Sequence, residues 1–331
     1  MLTLYYEARF GLARGAIFAG GRPHLYMEGL ETDSSSGLLG TRSIARLKGR
    51  GGGIGFLDLF GGGEAILDMP PADLAKVNDG EALEIVIVAE ARGDKRARAR
   101  LVRVAHGETV QRLSAPVTLK ARLLAEARHC FGDMAIDANE DTDALDEAAD
   151  EALAPRPALP GGGELHIERT RALTACDVDG AGLAEARGKT NLRAVADVAR
   201  RLRLMGVGGL VVVDLIGRRH DDKAIRDGLL AAFGAEASVI IPAPTGKFGT
   251  LEFVRPWRVC PTADLPPVLR FAGQLLRDAA RQAAHRPGRL LTLRAPADVL
   301  DIVRPLLLNA LDPLAPLLRL EAGLACEVIV P

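Results

Sequence analysis

An α/β fold of several units, α+β in overall order, is predicted by three stretches of the chain. Residues 173–214 read as strand, glycine-broken loop, helix and strand, the unit that builds parallel sheets. Residues 37–103 run through short strand-patterned segments between glycine clusters, as a small closed barrel does. Residues 266–331 alternate helix-length and strand-length apolar patterns and read as a small second α/β unit. A chain of 331 residues with 48% hydrophobic content is long and apolar enough for more than one buried core.

In residues 1–31, LTLYYEARFGLARGAIFAGGRPHLYMEGLE alternates as paired strands, with Gly20-Gly21 as a two-residue turn. Such a piece has to join a larger sheet to bury its apolar face. In the barrel segment, Arg92, Lys95, Arg96, Arg98 and Arg100 form the densest basic run of the chain. The run reads as a nucleic-acid contact or as a charge-protected edge strand, and its place beside the barrel favours the contact. Gly51-Gly52-Gly53 is followed by no GKS or GKT and is not a P-loop. VTLKARLLAEARH is a short amphipathic stretch. Asp137, Glu140, Asp141, Asp143, Asp146, Glu147, Asp150 and Glu151 then crowd one segment without the glycine and ligand spacing of a calcium loop. It reads as a solvated helix with Ala144, Leu145, Ala148, Ala149 and Leu153 inward, ended by prolines.

In the central stretch, Leu173, Ala175, Asp177 and Asp179 fall on one face of a strand that Gly180 and Gly182 break. Thr190 or Asn191 can cap a helix whose apolar stripe is Leu192, Val195, Ala196, Ala199 and Leu202. Arg193, Arg200, Arg201 and Arg203 take its other faces. Gly206 and Gly208 end the helix, and residues 210–213 read as a strand buried on both faces, closed by Asp214. A right-handed crossover lays the two strands parallel and brings Asp177, Asp179 and Asp214 to one carboxyl edge. Crowded carboxylates are tolerable around a hard cation, and Mg²⁺ takes one or two of them with water and phosphate oxygens. With arginines nearby, that is the equipment for phosphodiester chemistry with a metal as Lewis acid. The plainer reading makes the same aspartates loop caps and a strand end. Farther on, DDKAIRDGLLAAFG reads as a helix, ASVIIPAP as a buried strand, and TGKFGTLEFVRP as a glycine-bent strand with Phe248 and Phe253 in the core.

The net charge of −1 exerts no global pull on nucleic acid, so any such affinity has to come from local patches. An aromatic content of 4% limits base-stacking platforms. Cys130, Cys176, Cys260 and Cys326 form no CxxC pair and fit reduced thiols in a cytoplasmic protein. No segment has signal-peptide architecture or approaches the about eighteen apolar residues of a membrane span, so membrane insertion is not expected. The histidines are scattered without a motif-linked nucleophile, and His220 is the one near the candidate site.

The blocks ERTRALTACDVDGAG, KTNLRAVADVARRLRLMGVGGLVVVDLI and PAPTGKFGTLEFVR stand in this order over most of residues 161–255. They resemble the catalytic core of the ribonuclease E/G family. The resemblance implies a split RNase H-like subdomain at residues 1–36 and 104–160, around an S1-type OB-fold RNA-binding domain at 37–103. It further implies a DNase I-like catalytic subdomain at 161–258 and a small C-terminal domain at 259–331. It implies a catalytic Mg²⁺, or Mn²⁺ in its place, held by Asp177 and Asp214. Asp179 stands where the family usually has an asparagine that supports the scissile phosphate, and Gly217 where it has a further aspartate. Phe56 matches the family's stacking phenylalanine, while the second stacking aromatic falls near Ile66. Lys247 takes the place of an arginine near the RNA, keeping the charge without the bidentate geometry. Lys95, Arg96, Arg98, Thr190, Asn191, Arg200 and Arg203 are expected along the RNA or around the site.

Two departures carry further expectations. Between Arg103 and Cys130 the family inserts a domain that senses the RNA's 5′ monophosphate, and its absence implies cleavage independent of 5′-end phosphorylation. In VCPTA, Cys260 is present but Ala263 stands at the second thiolate position, so no zinc link is expected and a homodimer would be held by packing. The expected function is a cytoplasmic, Mg²⁺-dependent endoribonuclease for single-stranded RNA, leaving 3′-hydroxyl and 5′-phosphate ends. The alternative is an RNA-binding or assembly factor with a decayed active site.

Overall fold

The computed structural model describes residues 1–154, 158–180 and 187–330. Gly182, expected to break the central strand, and Pro155 and Pro157, expected to end the acidic helix, lie outside the described residues.

The chain opens as a meander, β1 (Leu2–Arg9), β2 (Leu12–Ala19) and β3 (Arg22–Leu30), each antiparallel to the next. Gly20 and Gly21 turn with φ of 58° and 75°, the left-handed pair that matches strand twist in a two-residue hairpin. The chain then leaves to form β4 (Arg42–Gly51), β5 (Ile54–Asp58), β6 (Glu64–Leu67), β7 (Ala82–Ala89) and β8 (Ala97–Val104). They pair in the order β4-β5-β6-β8-β7, and β7 pairs again with β4, so five strands close into a barrel. Closure removes exposed edges, and Leu47, Leu57, Leu67, Leu83, Ile85 and Ile87 fill the interior.

On leaving the barrel the chain completes the first sheet. Thr118 caps α1 (Leu119–Phe131), its Oγ1 accepting from the Ala121 amide at 3.2 Å. β9 (Ile136–Asn139) pairs parallel with β1, and α2 (Asp143–Leu153) follows. α1 packs Leu119, Leu123 and Ala127 against Leu2, Leu4 and Ile17. α2 packs Leu145, Ala148 and Ala152 against Ala16, Phe18 and Tyr26, so β2 is buried on both faces. Leu153, expected inward, is exposed, and Ala152 holds that place. Nor is α2 merely solvated. Asp146 pairs with the buried Arg14 and the exposed Arg281, and Glu151 with the buried Arg200 and Arg201, so these two acids serve as counter-ions to buried arginines.

The central sheet is built from β10 (Glu164–Arg169), β11 (Thr174–Asp179), α3 (Arg187–Leu204), β12 (Gly209–Asp214), α4 (Asp222–Phe233) and β13 (Thr250–Arg255). Its order is β10-β11-β12-β13 with a two-residue strand, Ile241–Pro242, at the edge. Only β11 and β12 run parallel, joined through α3; the other pairings are antiparallel. α3 and α4 cover one face, where Cys176, Val178, Val211, Val213, Leu251 and Phe253 meet Val195, Val198, Leu202 and Leu229. The opposite face carries Glu168, Asp177, Asp179, Asp214 and Glu252, all exposed. β12 is therefore not buried on both faces: Val211 and Val213 are inside, but Leu210 is 40% exposed. The segment ASVIIPAP is not a buried strand either. It is a 3₁₀ turn, Gly234–Val239, running into the edge strand, where Ile241 is 68% exposed.

α3 departs furthest from the expected amphipathic stripe. It begins at Arg187, so Thr190 and Asn191 lie inside its first turns rather than capping it, both buried. Leu192 and Ala196 face outward, while Ala194 and Val198 are buried with Val195, Ala199 and Leu202. Arg200, Arg201 and Arg203 are also buried, because α3 is packed between the central sheet and β3. Arg200 donates to Asp197 at 2.7 Å, to Glu151 at 2.6 Å and to the Pro23 carbonyl at 2.8 Å. Arg203 donates to the Ala232 carbonyl at 3.0 Å and to His24 Nδ1 at 3.2 Å. A buried guanidinium needs partners for its donors; these supply them for Arg200, while Arg203 keeps its Nε without a partner among the described residues.

The last unit comprises α5 (Pro267–His285), β14 (Leu291–Ala295), α6 (Ala297–Leu308), β15 (Leu318–Ala322) and β16 (Glu327–Ile329), with strand order β15-β14-β16. Its core takes in Phe10 and Leu12, which docks it on the β1–β2 turn.

Candidate active site

The register of the central sheet decides which side chains meet. Asp177 on β11 stands directly opposite Asp214 on β12 in a parallel pair, so the two carboxylates leave the same face side by side. Cα atoms of such neighbours are separated by about 4.8 Å. The row continues on both sides, with His166 opposite Asp177 and Thr250 opposite Asp214. The alternation of β11 puts Thr174, Cys176 and Val178 in the core, which forces Asp177 and Asp179 outward. Neither Asp177 nor Asp214 forms an ion pair or hydrogen bond among the described residues, although most acids of this chain are paired. Asp179 lies one pleat beyond Asp177, opposite Glu164.

Among the described residues no group of three or more His, Cys, Asp or Glu converges to hold a metal. Mg²⁺ does not need one: one or two carboxylates completed by waters and phosphate oxygens are its ordinary protein ligands. Two adjacent, solvent-facing, uncompensated carboxylates fit that requirement.

The segments beyond the strands frame the pair. Asn191, buried on α3, clamps the backbone just past Asp214: its Oδ1 accepts from the Ile216 amide at 3.0 Å, and its Nδ2 donates to the Ile216 carbonyl at 3.2 Å. His220 packs against the same loop, Nε2 lying 3.0 Å from the Gly217 carbonyl and Nδ1 3.4 Å from Asn191 Nδ2. From the other side comes a tight turn, closed by Gly246 N to Thr250 O at 2.8 Å and Gly249 N to Gly246 O at 3.0 Å. A Cβ on Gly249, whose φ is +92°, would collide with the Gly217 carbonyl oxygen, so only glycine lets turn and loop meet. This turn presents Lys247 and Phe248, and Phe248 is 84% exposed. Phe248 was expected in the core with Phe253; only Phe253 is there. The two residues that follow a glycine in TGKFG sit at a turn tip, and that was the clue available in the sequence.

The expected RNA-contacting residues separate into two groups. Phe56 is half-buried on the barrel wall, with the Arg96 guanidinium 5.7 Å from its ring centre, and pairs across the sheet with Ile66. Lys95, Arg96 and Arg98 are exposed beside it, each near a carboxylate: Asp94, Glu64 and Asp68. Glu64 is held down to about 2 by hydrogen bonds from Lys48 and then Arg96. Exposed pairs of this kind contribute little and exchange readily for a polyanion. Arg92, from the same basic run, has left that face to stack on Trp257 at 4.0 Å. The second group, Thr190, Asn191, Arg200 and Arg203, is buried, and the two arginines are consumed by internal partners.

Residues 103–258 match the sequence model of the Ribonuclease E/G family. The similarity to the ribonuclease E/G family lies in this part of the chain. The central sheet with Asp177 and Asp214 lies wholly inside the family segment. Ribonuclease E of Escherichia coli (strain K12) is 37% identical over 106 residues, 29% of this chain and 10% of that protein. A putative ribonuclease E of Buchnera aphidicola subsp. Baizongia pistaciae is 44% identical over 106 residues, 29% of this chain and 26% of that protein. Ribonuclease E of Nostoc sp. is 31% identical over 168 residues, 45% of this chain and 24% of that protein. The matched stretches thus span about a tenth to a quarter of the length of these relatives. No helix among the described residues is long and apolar enough to cross a membrane.

Proposed function

We propose that this chain is an endoribonuclease acting on single-stranded RNA, with Asp177 and Asp214 holding Mg²⁺ or Mn²⁺. One observation carries the reading: two exposed carboxylates, without ion pairs among the described residues, stand in register on neighbouring parallel strands inside the segment that matches the ribonuclease E/G family. When bound, the cation would supply Lewis-acid and water-activating chemistry. The chain's own groups do the rest. Asp177 and Asp214 set the point where phosphate charge can be compensated, and Asp179 flanks it on the same face. Asn191 positions the backbone beyond Asp214. Lys247 and Phe248 offer an ammonium for a phosphate and a ring for a base, and Phe56 with Lys95, Arg96 and Arg98 offers the same combination on the barrel. In-line attack would leave a 3′-hydroxyl and a 5′-phosphate.

Between the barrel and α1 the chain has only the short strands Gln111–Arg112 and Val117–Thr118, which supports cleavage independent of the 5′ end. The exposed Ala263, in place of a second thiolate, supports a homodimer held by packing instead of zinc. Free cysteines support a cytoplasmic site of action. A second reading, an RNA-binding factor with a decayed site, is supported by Asp179 at the end of β11, where the family usually has asparagine, and by Gly217 in the loop beyond Asp214.

The deciding experiment uses Asp177→Asn and Asp214→Asn with Mg²⁺ and a labelled A/U-rich RNA. Each substitution is expected to slow internal cleavage by about a thousandfold, the several kcal/mol that a metal supplies, without lowering the melting temperature. Full-rate cleavage by both variants would remove the metal assignment. A gel shift without internal products in the unsubstituted protein would select the binding factor.

A further inference from the structure

A cavity of about 590 Å³ opens between the first turns of α3 and α4 and the loop that follows Asp214. Its volume falls in the range of about 300–1,000 Å³ usual for small-ligand sites. Arg187, Lys189, Arg218 and Arg219 surround it. None of these four cations has an ion pair or hydrogen bond among the described residues, whereas Arg200 and Arg255 elsewhere in the sheet unit are held by carboxylates and carbonyls. Among the described residues of the wall the one carboxylate, Asp221, is turned to the start of α4, its Oδ1 accepting from the Ala224 amide at 3.0 Å. Like charges gathered without counter-ions repel one another, so the arrangement is stabilised by an anion between them. The wall is not wholly polar. Leu192, Ile216 and Ile225 line it, and Leu192 is exposed where the helix face was expected to be covered.

From this juxtaposition we infer that the cavity is a nucleotide subsite, with a phosphate among the four cations and a base against Leu192 and Ile216. The inference rests on the ribonuclease reading, since it places one nucleotide of the RNA strand here. Continuity supports it: Gly217 lines the cavity and also abuts Gly249 under the Lys247–Phe248 turn, so the cavity and that turn share a wall. A strand crossing the aspartate row can therefore pass from Phe248 into the cavity over the loop at residues 215–219. A phosphate with an attached base matches both linings; inorganic phosphate matches only one.

The test is equilibrium binding without added divalent metal, so that cleavage does not enter. The probes are uridine 5′-monophosphate, inorganic phosphate and an A/U-rich decamer. The unsubstituted protein is expected to bind the nucleotide about tenfold or more tightly than phosphate. The double substitution R218A/R219A is expected to weaken both the nucleotide and the decamer, and to reduce the log–log salt slope for the decamer by about 1.4, the value for two lost phosphate contacts on a single strand. R218K/R219K should keep most of that slope. An unchanged slope and unchanged nucleotide binding in R218A/R219A would overturn the subsite. Equal binding of nucleotide and phosphate would overturn the base seat. Normal cleavage by Asp177→Asn and Asp214→Asn would count against the active site while leaving these binding results standing, so the two failures are distinguishable.

Discussion

The two ends of α3 carry the same residue types to opposite ends. At its start, Arg187 and Lys189 point to an open cavity and have no counter-ion among the described residues. At its far end, Arg200, Arg201 and Arg203 are buried, each bound by carboxylates or carbonyls. The far end is a structural joint: it ties the central sheet to β3 and α2 through Asp197 and Glu151. The near end has no partner for its charge among the described residues. The lesson is that basic residues report a binding surface where their donors are left over, and report packing where the fold has already used them.

The sharpest way to break this contrast is to attack the joint. Asp197 is buried and serves Arg200, Arg201 and Arg22 at 2.7, 3.3 and 3.1 Å. Asp197→Ala should cost about 3–5 kcal/mol in urea unfolding, because it removes the buried carboxylate that two buried guanidinium groups share and leaves Glu151 to serve both. A loss under about 1 kcal/mol would show that the joint is not structural.

His24 tests the same joint by pH. Burial first, then Arg203, Arg200 and Arg22, push its imidazole down to about 3, against the smaller opposing pull of Asp197. Because the folded value lies below the unfolded one, the unfolded chain takes up the proton first. Its contribution to stability is full above about pH 6.5 and is lost as the pH falls toward 3. Stability should fall by about 1 kcal/mol per pH unit between pH 6 and pH 4 on this account, and His24→Gln should flatten that slope. An identical slope in the variant would contradict the assignment.

At the open end the effects move from stability to binding. Phe248→Ala should weaken single-stranded RNA by about 1–2 kcal/mol, the value of one base–aromatic stack, with the melting temperature unchanged. If affinity holds, the exposed ring is not a platform. Smallest of all, Arg187→Ala and Lys189→Ala should change unfolding free energy by less than about 0.5 kcal/mol each, as exposed residues outside any network do. A loss like that of Asp197→Ala would erase the difference between the two ends.

Much of the site was legible before the fold. Alternation in Leu173–Asp179, glycines after the helix and an apolar run ending in Asp214 foretold two parallel strands, and the register bears out that Asp177 and Asp214 are neighbours on one face. Glycine punctuation foretold the barrel, and five strands do close there. What was not legible is which charges are spent. Arg200 and Arg203 resemble surface residues in any helical projection, because their cover comes from β3, some 180 residues away. Phe248 and Phe253 are five residues apart and alike in type, yet one caps a turn and the other fills the core.

The sequence by itself determined the local periods: strand alternation, helix stops, and the turn glycines whose positive φ no other residue takes cheaply. Those are properties of adjacent residues, set by backbone sterics and side-chain direction. Only the tertiary structure decided which face of the central sheet stayed open and which arginines found partners. Both follow from what distant elements cover, and burial and charge pairing are settled by neighbours in space.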